Sequence, residues 1–300
     1  MSKSKIYKGI NGWSFPDNFT IEQSMVLAKE ANFEGIELTL SKDGELSLAT
    51  TEKEALKIKE RSKEIGIDIN SVATGLFWQF SLTSELAHIR EKAVGVIKKE
   101  IELAALLGAD GVLVCPGAVG VDFRVDQVVP DAKNIEYYTG SEVISYEVAY
   151  ERAQNAIADL APFAKEHNVA ILVENIWNKF LLSPLEFRTF LDEINSPYVG
   201  MLLDVGNIIS FGYPEQWIRI LGDRIKKLHF KDYRRAVGTI EGFVDLLAGD
   251  VNWPEVMNAL DDIGYEGWAN AEMTPNYKHY TTQIIYNTSL AMDRILKRNR

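Results

Sequence analysis

Four side chains in the second half of the sequence have the types and placement of a metal centre: Glu174, Asp204, His229 and Glu272. Each stands at or near the end of a short apolar run. Glu174 closes Val169-Ala170-Ile171-Leu172-Val173, and Asp204 closes Val199-Gly200-Met201-Leu202-Leu203. His229 follows Ile225-Lys226-Lys227-Leu228, and Glu272 closes Trp268-Ala269-Asn270-Ala271. Such runs read as parallel strands buried on both faces, where hydrocarbon is the rule and a polar residue the exception. Three carboxylates and an imidazole brought together cannot all stay charged and unpaired. Desolvation penalises each lone carboxylate, and like charges at close range oppose ionisation further. A divalent cation relieves both. The donor set, hard and oxygen-rich with one nitrogen, suits Mn²⁺ or Mg²⁺ and admits Co²⁺ or Zn²⁺, with Mn²⁺ as the first expectation. A single Glu or Asp at a strand end is commonly a loop cap or salt-bridge partner, but here that account must be invoked four times over.

The elements that would position these groups alternate along the chain. Strand candidates fall at Ile6–Trp13, Ile36–Leu40, Ile67–Ala73, Gly111–Cys115, Val169–Glu174, Val199–Asp204, Ile225–Phe230 and Trp268–Met273. Helices are expected between and after them, at Ile21–Ala31, Glu52–Ile65, Ser84–Leu107, Ser145–His167, Pro184–Ile194, Pro214–Leu221, Pro254–Ile263 and from about Tyr280 to Leu296. Gly66, Gly108, Asn168, Gly222 and Gly264 follow helical stretches, where positive φ favours glycine or asparagine. Strict alternation implies parallel strands with helical crossovers, and eight units in 300 residues predict one (β/α)₈ TIM barrel spanning 1–300. A doubly wound open sheet competes, but its Gly-rich phosphate loop after the first strand is missing. In a barrel the C-terminal strand ends converge on one mouth, so strands five to eight would deliver the four ligands to one place. The long irregular stretch Gly117–Ser141 follows the fourth strand, where a lid, binding loop or interface is expected.

Composition narrows the classes of function. Hydrophobic residues make up 46% and charged residues 25%, as in a soluble globular protein. The net charge is 32 − 43 = −11, which opposes the phosphate neutralisation that nucleic-acid binding needs. Cys115 is the one cysteine, so no intramolecular disulfide can form. The N-terminus lacks the apolar run of a signal peptide, and no stretch has the ~20 apolar residues of a transmembrane helix. A cytoplasmic protein acting away from membranes is expected. Trp13 and Trp177 lie just past strand ends, where an aromatic ring can stack on a sugar face. His88 and His167 lie in helices and read as surface or packing residues. His279 follows the last strand, where a substrate contact is conceivable. Cys115 reads as a packing residue at the mouth.

Val173-Glu174-Asn175, Leu203-Asp204-Val205-Gly206-Asn207, Leu228-His229-Phe230-Lys231-Asp232 and Ala271-Glu272-Met273 together resemble the xylose isomerase-like TIM barrels. The likeness is to the sugar phosphate isomerase/epimerase branch, which includes D-tagatose and D-psicose 3-epimerases, L-ribulose-5-phosphate 3-epimerases, hydroxypyruvate isomerase and inosose dehydratase. It covers nearly the whole chain, including Gly249-Asp250-Val251-Asn252-Trp253-Pro254. The resemblance implies that Glu174, Asp204, His229 and Glu272 are the metal ligands and that Glu174 and Glu272 are also the acid/base pair. It further implies that Arg235 contacts substrate hydroxyls. Two positions depart from the free-sugar epimerases: Phe180 replaces a glutamate that contacts substrate, and Asn207 replaces a histidine. Both speak against a free hexulose and leave the metal set intact.

The expected activity is therefore a metal-dependent sugar or sugar-phosphate isomerase/epimerase. One glutamate would take a proton next to the ketose carbonyl and the other would return it. Substrate contacts are expected from Arg235, Asn207, Lys231, Trp13, Trp177, Asn178 and Glu37, with Lys179 as a further candidate. An inosose-type dehydratase on the same barrel and a non-catalytic carbohydrate-binding barrel are the alternatives. The net charge stands against a DNA-repair endonuclease. The resemblance also implies a homodimer or homotetramer.

Overall fold

The structure, a computed structural model, describes residues 4–120, 142–274 and 276–298. Eight parallel strands close into a barrel: β1 (Lys5–Asn11), β2 (Gly35–Leu40), β3 (Asp68–Thr74), β4 (Gly111–Val114), β5 (Ala170–Glu174), β6 (Val199–Asp204), β7 (Ile225–Phe230) and β10 (Glu266–Ala271). The ring order is β1-β10-β7-β6-β5-β4-β3-β2, so each strand pairs with its neighbours in sequence and β10 closes on β1. This is the expected (β/α)₈ TIM barrel. A short antiparallel ribbon, β8 (Asp232–Tyr233) with β9 (Phe243–Val244), is added in the loop after β7.

The outer layer consists of α1 (Ile21–Glu30), α2 (Glu52–Ile65), α3 (Ala87–Leu107), α4 (Tyr146–His167), α5 (Pro184–Ile194), α7 (Pro214–Leu221), α8 (Trp253–Ile263) and α9 (Gln283–Ile295). A single turn, α6 (Val205–Ile208), follows β6 directly. Thr20 with Gln23 and Thr51 with Glu54 form reciprocal capping boxes at the starts of α1 and α2. Gly66, Gly108, Asn168 and Gly264 take the left-handed conformation at helix ends, as expected.

Four elements depart from their expected bounds by two residues or more. β1 stops at Asn11, because the Asn11 side chain accepts from Trp13 N–H and turns Gly12–Ser14 into a 3₁₀ helix. β10 likewise stops at Ala271, although Glu272 N–H still donates to the Phe230 carbonyl. Helix α3 begins at Ala87 rather than Ser84; the Ser84 hydroxyl accepts from Leu86 N–H, and its carbonyl is bound by Arg90. Helix α9 begins at Gln283, since Tyr280 has φ 52°, outside helical space. Of the stretch Gly117–Ser141, residues 121–141 lie outside the described ones. No helix of the described residues is long and apolar enough to cross a membrane.

Candidate metal centre at the barrel mouth

Strand register brings the chemistry together. Asp204 is the direct neighbour of His229 across β6 and β7, and Asn270 on β10 is the neighbour of His229 on its other side. Glu174 ends β5, and Glu272 follows β10 by one residue. The result is a buried group in which one ligand atom each from Glu174, Asp204, His229 and Glu272 lies within 4.8 Å of all the others. His229 Nδ1 lies 3.1 Å from Glu272 Oε2 and 3.5 Å from Glu174 Oε1. His229 Nε2 points the opposite way, 2.7 Å from Glu37 Oε1.

Asparagines lock the ends of β5 and β6. Asn175 Nδ2 donates to the Asp204 carbonyl and Asp204 N–H donates to Asn175 Oδ1, both at 2.9 Å. Asn207 Nδ2 then donates to the Asn175 carbonyl at 3.0 Å, while Asn207 N–H donates to Asp204 Oδ1 at 2.9 Å. Gly206 lets the next loop pass close by, since a Cβ there would lie 2.9 Å from Lys231 backbone atoms. That loop is folded around Asp232. Its two oxygens accept from Tyr233 N–H, Val251 N–H, Leu247 N–H and Trp253 Nε1–H, at 2.9 to 3.2 Å. A Cβ on Gly249 would fall 2.2 Å from Asp232 Oδ1, so this wrapped loop requires glycine there. Lys231 is thereby aimed into the cluster. Its Nζ donates to Glu272 Oε1 at 2.9 Å, stands 3.9 Å from Asp204 Oδ2 and lies 4.3 Å from the Phe243 ring centroid.

The electrostatics are uneven. Burial pushes Glu174 above the ordinary carboxyl range against the pull of His229, and the negative Glu272 and Asp204 add to the push. Burial raises Asp204 as well, although Lys231 opposes it. Burial also works against ionised Glu272, but Lys231 and His229 together overcome it and hold that carboxyl low. Burial disfavours the His229 cation, yet Glu37, Glu174 and Glu272 outweigh it and hold the imidazole proton well above its usual range. Asp204 Oδ2 is buried and has no hydrogen-bond partner among the described residues. An oxygen left in that state is costly unless a cation meets it. The donor set and this orphaned oxygen both fit a divalent ion held by all four side chains.

A cavity of about 310 Å³ opens above the cluster, within the size range of small-molecule sites. Glu174, Glu272, Lys231, Asn207, Trp13 and Trp177 line it. Three expected substrate contacts lie elsewhere. Glu37 is fully buried on the far side of His229. Asn178 donates to the Gly117 carbonyl and accepts from Phe180 N–H, so its amide holds the loop rather than facing the cavity. Arg235 is exposed, donates from Nε to the Ile209 carbonyl and lies over the Tyr213 ring. Phe180, the first departure, is buried among Tyr146, Tyr150 and Phe190. Trp78, Ile240 and Phe243 line the cavity and were not anticipated. Trp78 carries the same signal as Trp13 and Trp177, an aromatic just beyond a strand end, because it follows β3. Cys115 lines the cavity too, its thiol raised far above its usual range by burial and then by the nearby anions, which suits packing and not nucleophilic attack.

The family model of the xylose isomerase-like TIM barrel matches residues 25–286. The chain belongs to that family. SgbU of Haemophilus influenzae, provisionally named an L-ribulose-5-phosphate 3-epimerase, is 26% identical over 279 residues, covering 91% of this chain and 90% of that protein. A D-psicose 3-epimerase of Enterocloster bolteae is 31% identical over 125 residues, 40% of this chain and 39% of its own. Among solved structures, the D-psicose 3-epimerase of Clostridium cellulolyticum H10 with D-tagatose superimposes with a TM-score of 0.77. That likeness covers 97% of this chain and 99% of the other at 15% identity, so it speaks for the fold.

Proposed function

We propose that this isomerase epimerises or isomerises a sugar or sugar phosphate by proton transfer next to a ketose carbonyl, in the cytoplasm. Glu174, Asp204, His229 and Glu272 would hold a divalent cation, Mn²⁺ in the first instance. Bound there, the ion supplies Lewis acidity toward the carbonyl. The observation that carries this reading is the joint position of two glutamates: both line the cavity, and both belong to the buried four-residue group. One of Glu174 and Glu272, which both line the cavity, would take a proton from the substrate carbon and the other would return one. The electron pair released at carbon moves onto the carbonyl oxygen and returns when the carbon is reprotonated. Delivery to the opposite face of the same carbon gives an epimer; where the proton was taken from C-1, its delivery to C-2, with the C-1 hydroxyl proton passing to the former carbonyl oxygen, gives an aldose. Trp13 and Trp177 offer flat apolar surfaces for the sugar, and the named activity of the SgbU relative supports the substrate class.

The test is solvent proton exchange. The protein with Mn²⁺ is incubated in D₂O with ketoses, their phosphates and inososes, and deuterium uptake is followed by NMR. Exchange accompanied by an epimer or an aldose supports the proposal. Loss of water from an inosose would replace it with a dehydratase, and absence of exchange from every compound would overturn it.

A further inference from the structure

Glu37 faces away from the cavity, yet every atom of its carboxylate is engaged with groups that set the state of His229. We propose that Glu37 is a positioning residue for the metal centre: it holds the His229 proton on Nε2 and so presents Nδ1, with its lone pair, to the cation. The proposal rests on the metal reading above.

The donors around Glu37 leave one arrangement. Asn11 Oδ1 accepts from Trp13 N–H at 2.7 Å, which fixes the amide orientation, so the Asn11 amide nitrogen donates to Glu37 Oε1 at 2.6 Å. Ser71 Oγ lies 2.7 Å from Glu37 Oε2 and 2.6 Å from Asn70 Oδ1. Asn70 Oδ1 already accepts from Asn270 Nδ2, and a carboxylate is the stronger acceptor, so the hydroxyl proton goes to Glu37. Both Glu37 oxygens thus already accept a hydrogen bond, and the proton shared between Oε1 and His229 Nε2, 2.7 Å apart, sits on the imidazole nitrogen, the stronger base, so His229 Nε2 donates. The neutral imidazole that a metal requires has one tautomer left, with the lone pair on Nδ1. That is the nitrogen facing Glu174 and Glu272.

The backbone builds this brace. Glu37 is the register partner of Asn11 on β1 and of Ser71 on β3, and a register shift between Ile36 and Glu37 brings Ser71 opposite in place of Asn70. From β2 the side chain reaches across the barrel interior to β7, tying the half of the ring without ligands to the half that carries them. A carboxylate behind a ligating histidine fixes the ring and raises its basicity, and loss of such a partner typically weakens metal binding by roughly 10–100-fold.

The experiment pairs Zn²⁺ affinity, by competition with a chelator, with NMR of protein labelled with ¹⁵N-histidine. In the wild type with Zn²⁺, His229 is expected to show metal ligation at Nδ1 and a slowly exchanging, downfield Nε2–H; His229→Gln assigns the signals. Glu37→Gln is expected to lose roughly 10–100-fold in Zn²⁺ affinity and to shift or lose that proton signal. Ser71→Ala, which keeps Glu37 but removes one donor, should give a smaller loss with the same ligating nitrogen. A merely structural role would lower stability in both variants without changing affinity or the nitrogen signature. Ligation through Nε2 in the wild type, or unchanged affinity in a folded Glu37→Gln, would overturn the proposal. If Glu37→Gln does not fold, the wild-type spectrum and Ser71→Ala still decide. Failure of the wild type to bind any divalent ion would defeat the metal reading itself and this proposal with it.

Discussion

Two buried charged clusters in this barrel are built to opposite specifications. On the outer side of β1, Lys8 Nζ donates to Asp293 Oδ1 at 2.7 Å and to Ser289 Oγ at 2.9 Å, beneath the Phe33 ring. One cation there meets one anion. At the mouth, Glu37, Glu174, Asp204 and Glu272 face Lys231 and His229. There folding concentrates negative charge and raises two carboxyls. Stability explains the first cluster. The second sets four carboxylates against two cationic side chains, an imbalance that a divalent ion would offset.

The sharpest way to break the contrast is to neutralise one charge in each cluster. Glu174→Gln should cut turnover by about 10²- to 10⁴-fold, the range for loss of a general acid or base. The same change should leave the metal-free protein as stable as before or more so, because it removes a like charge from a crowded site. Turnover is read by the exchange assay and stability by urea unfolding. A marked stability loss would mean that Glu174 is paired as completely as Asp293. Lys8→Met should do the reverse. Removing one partner of a buried ion pair strands the other, at a cost of about 3–5 kcal/mol, while Mn²⁺ affinity should not move. Lys8→Met with Asp293→Leu should recover much of that loss.

Divalent cations should separate the clusters next. At 100 times its dissociation constant, Mn²⁺ should stabilise the wild type by about 2.7 kcal/mol, and the same gain should appear in Lys8→Met. Affinity should fall as pH falls, because Glu174 and Asp204 take up protons more readily than ordinary carboxyls and the cation must displace them. Calorimetric titration across the mildly acidic range checks the sign. Affinity that rises with acidity would remove these carboxylates from the ligand set.

Much of this site was legible because it depends on strand ends. Glu174, Asp204, His229 and Glu272 each interrupt or close a hydrocarbon run, and barrel closure does the rest. Helix ends at Gly66, Gly108 and Asn168 were legible because left-handed φ selects glycine or asparagine. What escaped depends on direction across the ring or on loop paths. Glu37 was expected to contact substrate, but its aim at His229 follows from a register shift against β3 that no local pattern encodes. Arg235 and Asn178 sit in loops whose course is set by Asp232 and by the Gly117 carbonyl, far from them in sequence. The two-residue strands β8 and β9 are too short to leave a periodicity.

A third buried carboxyl sharpens the comparison at lower amplitude. Glu100 on α3 is fully buried, and neither oxygen has a hydrogen-bond partner among the described residues. Burial, and then the charge of Glu37, raise it well above 4.5. It has neither the counter-ion of Asp293 nor the cation site of Glu174, so it stays protonated in the folded protein. Below its ordinary value both folded and unfolded states hold the proton and pH has no leverage. Above it the unfolded state ionises while the folded one does not, so stability must fall as pH rises, by up to about 1.4 kcal/mol per pH unit. Glu100→Gln removes that dependence. Relative to wild type the variant should therefore gain stability as pH rises above the ordinary carboxyl range, by up to about 1.4 kcal/mol per pH unit, in urea unfolding at each pH. Parallel stability curves for the two proteins would show instead that Glu100 ionises in the fold as readily as in the unfolded chain.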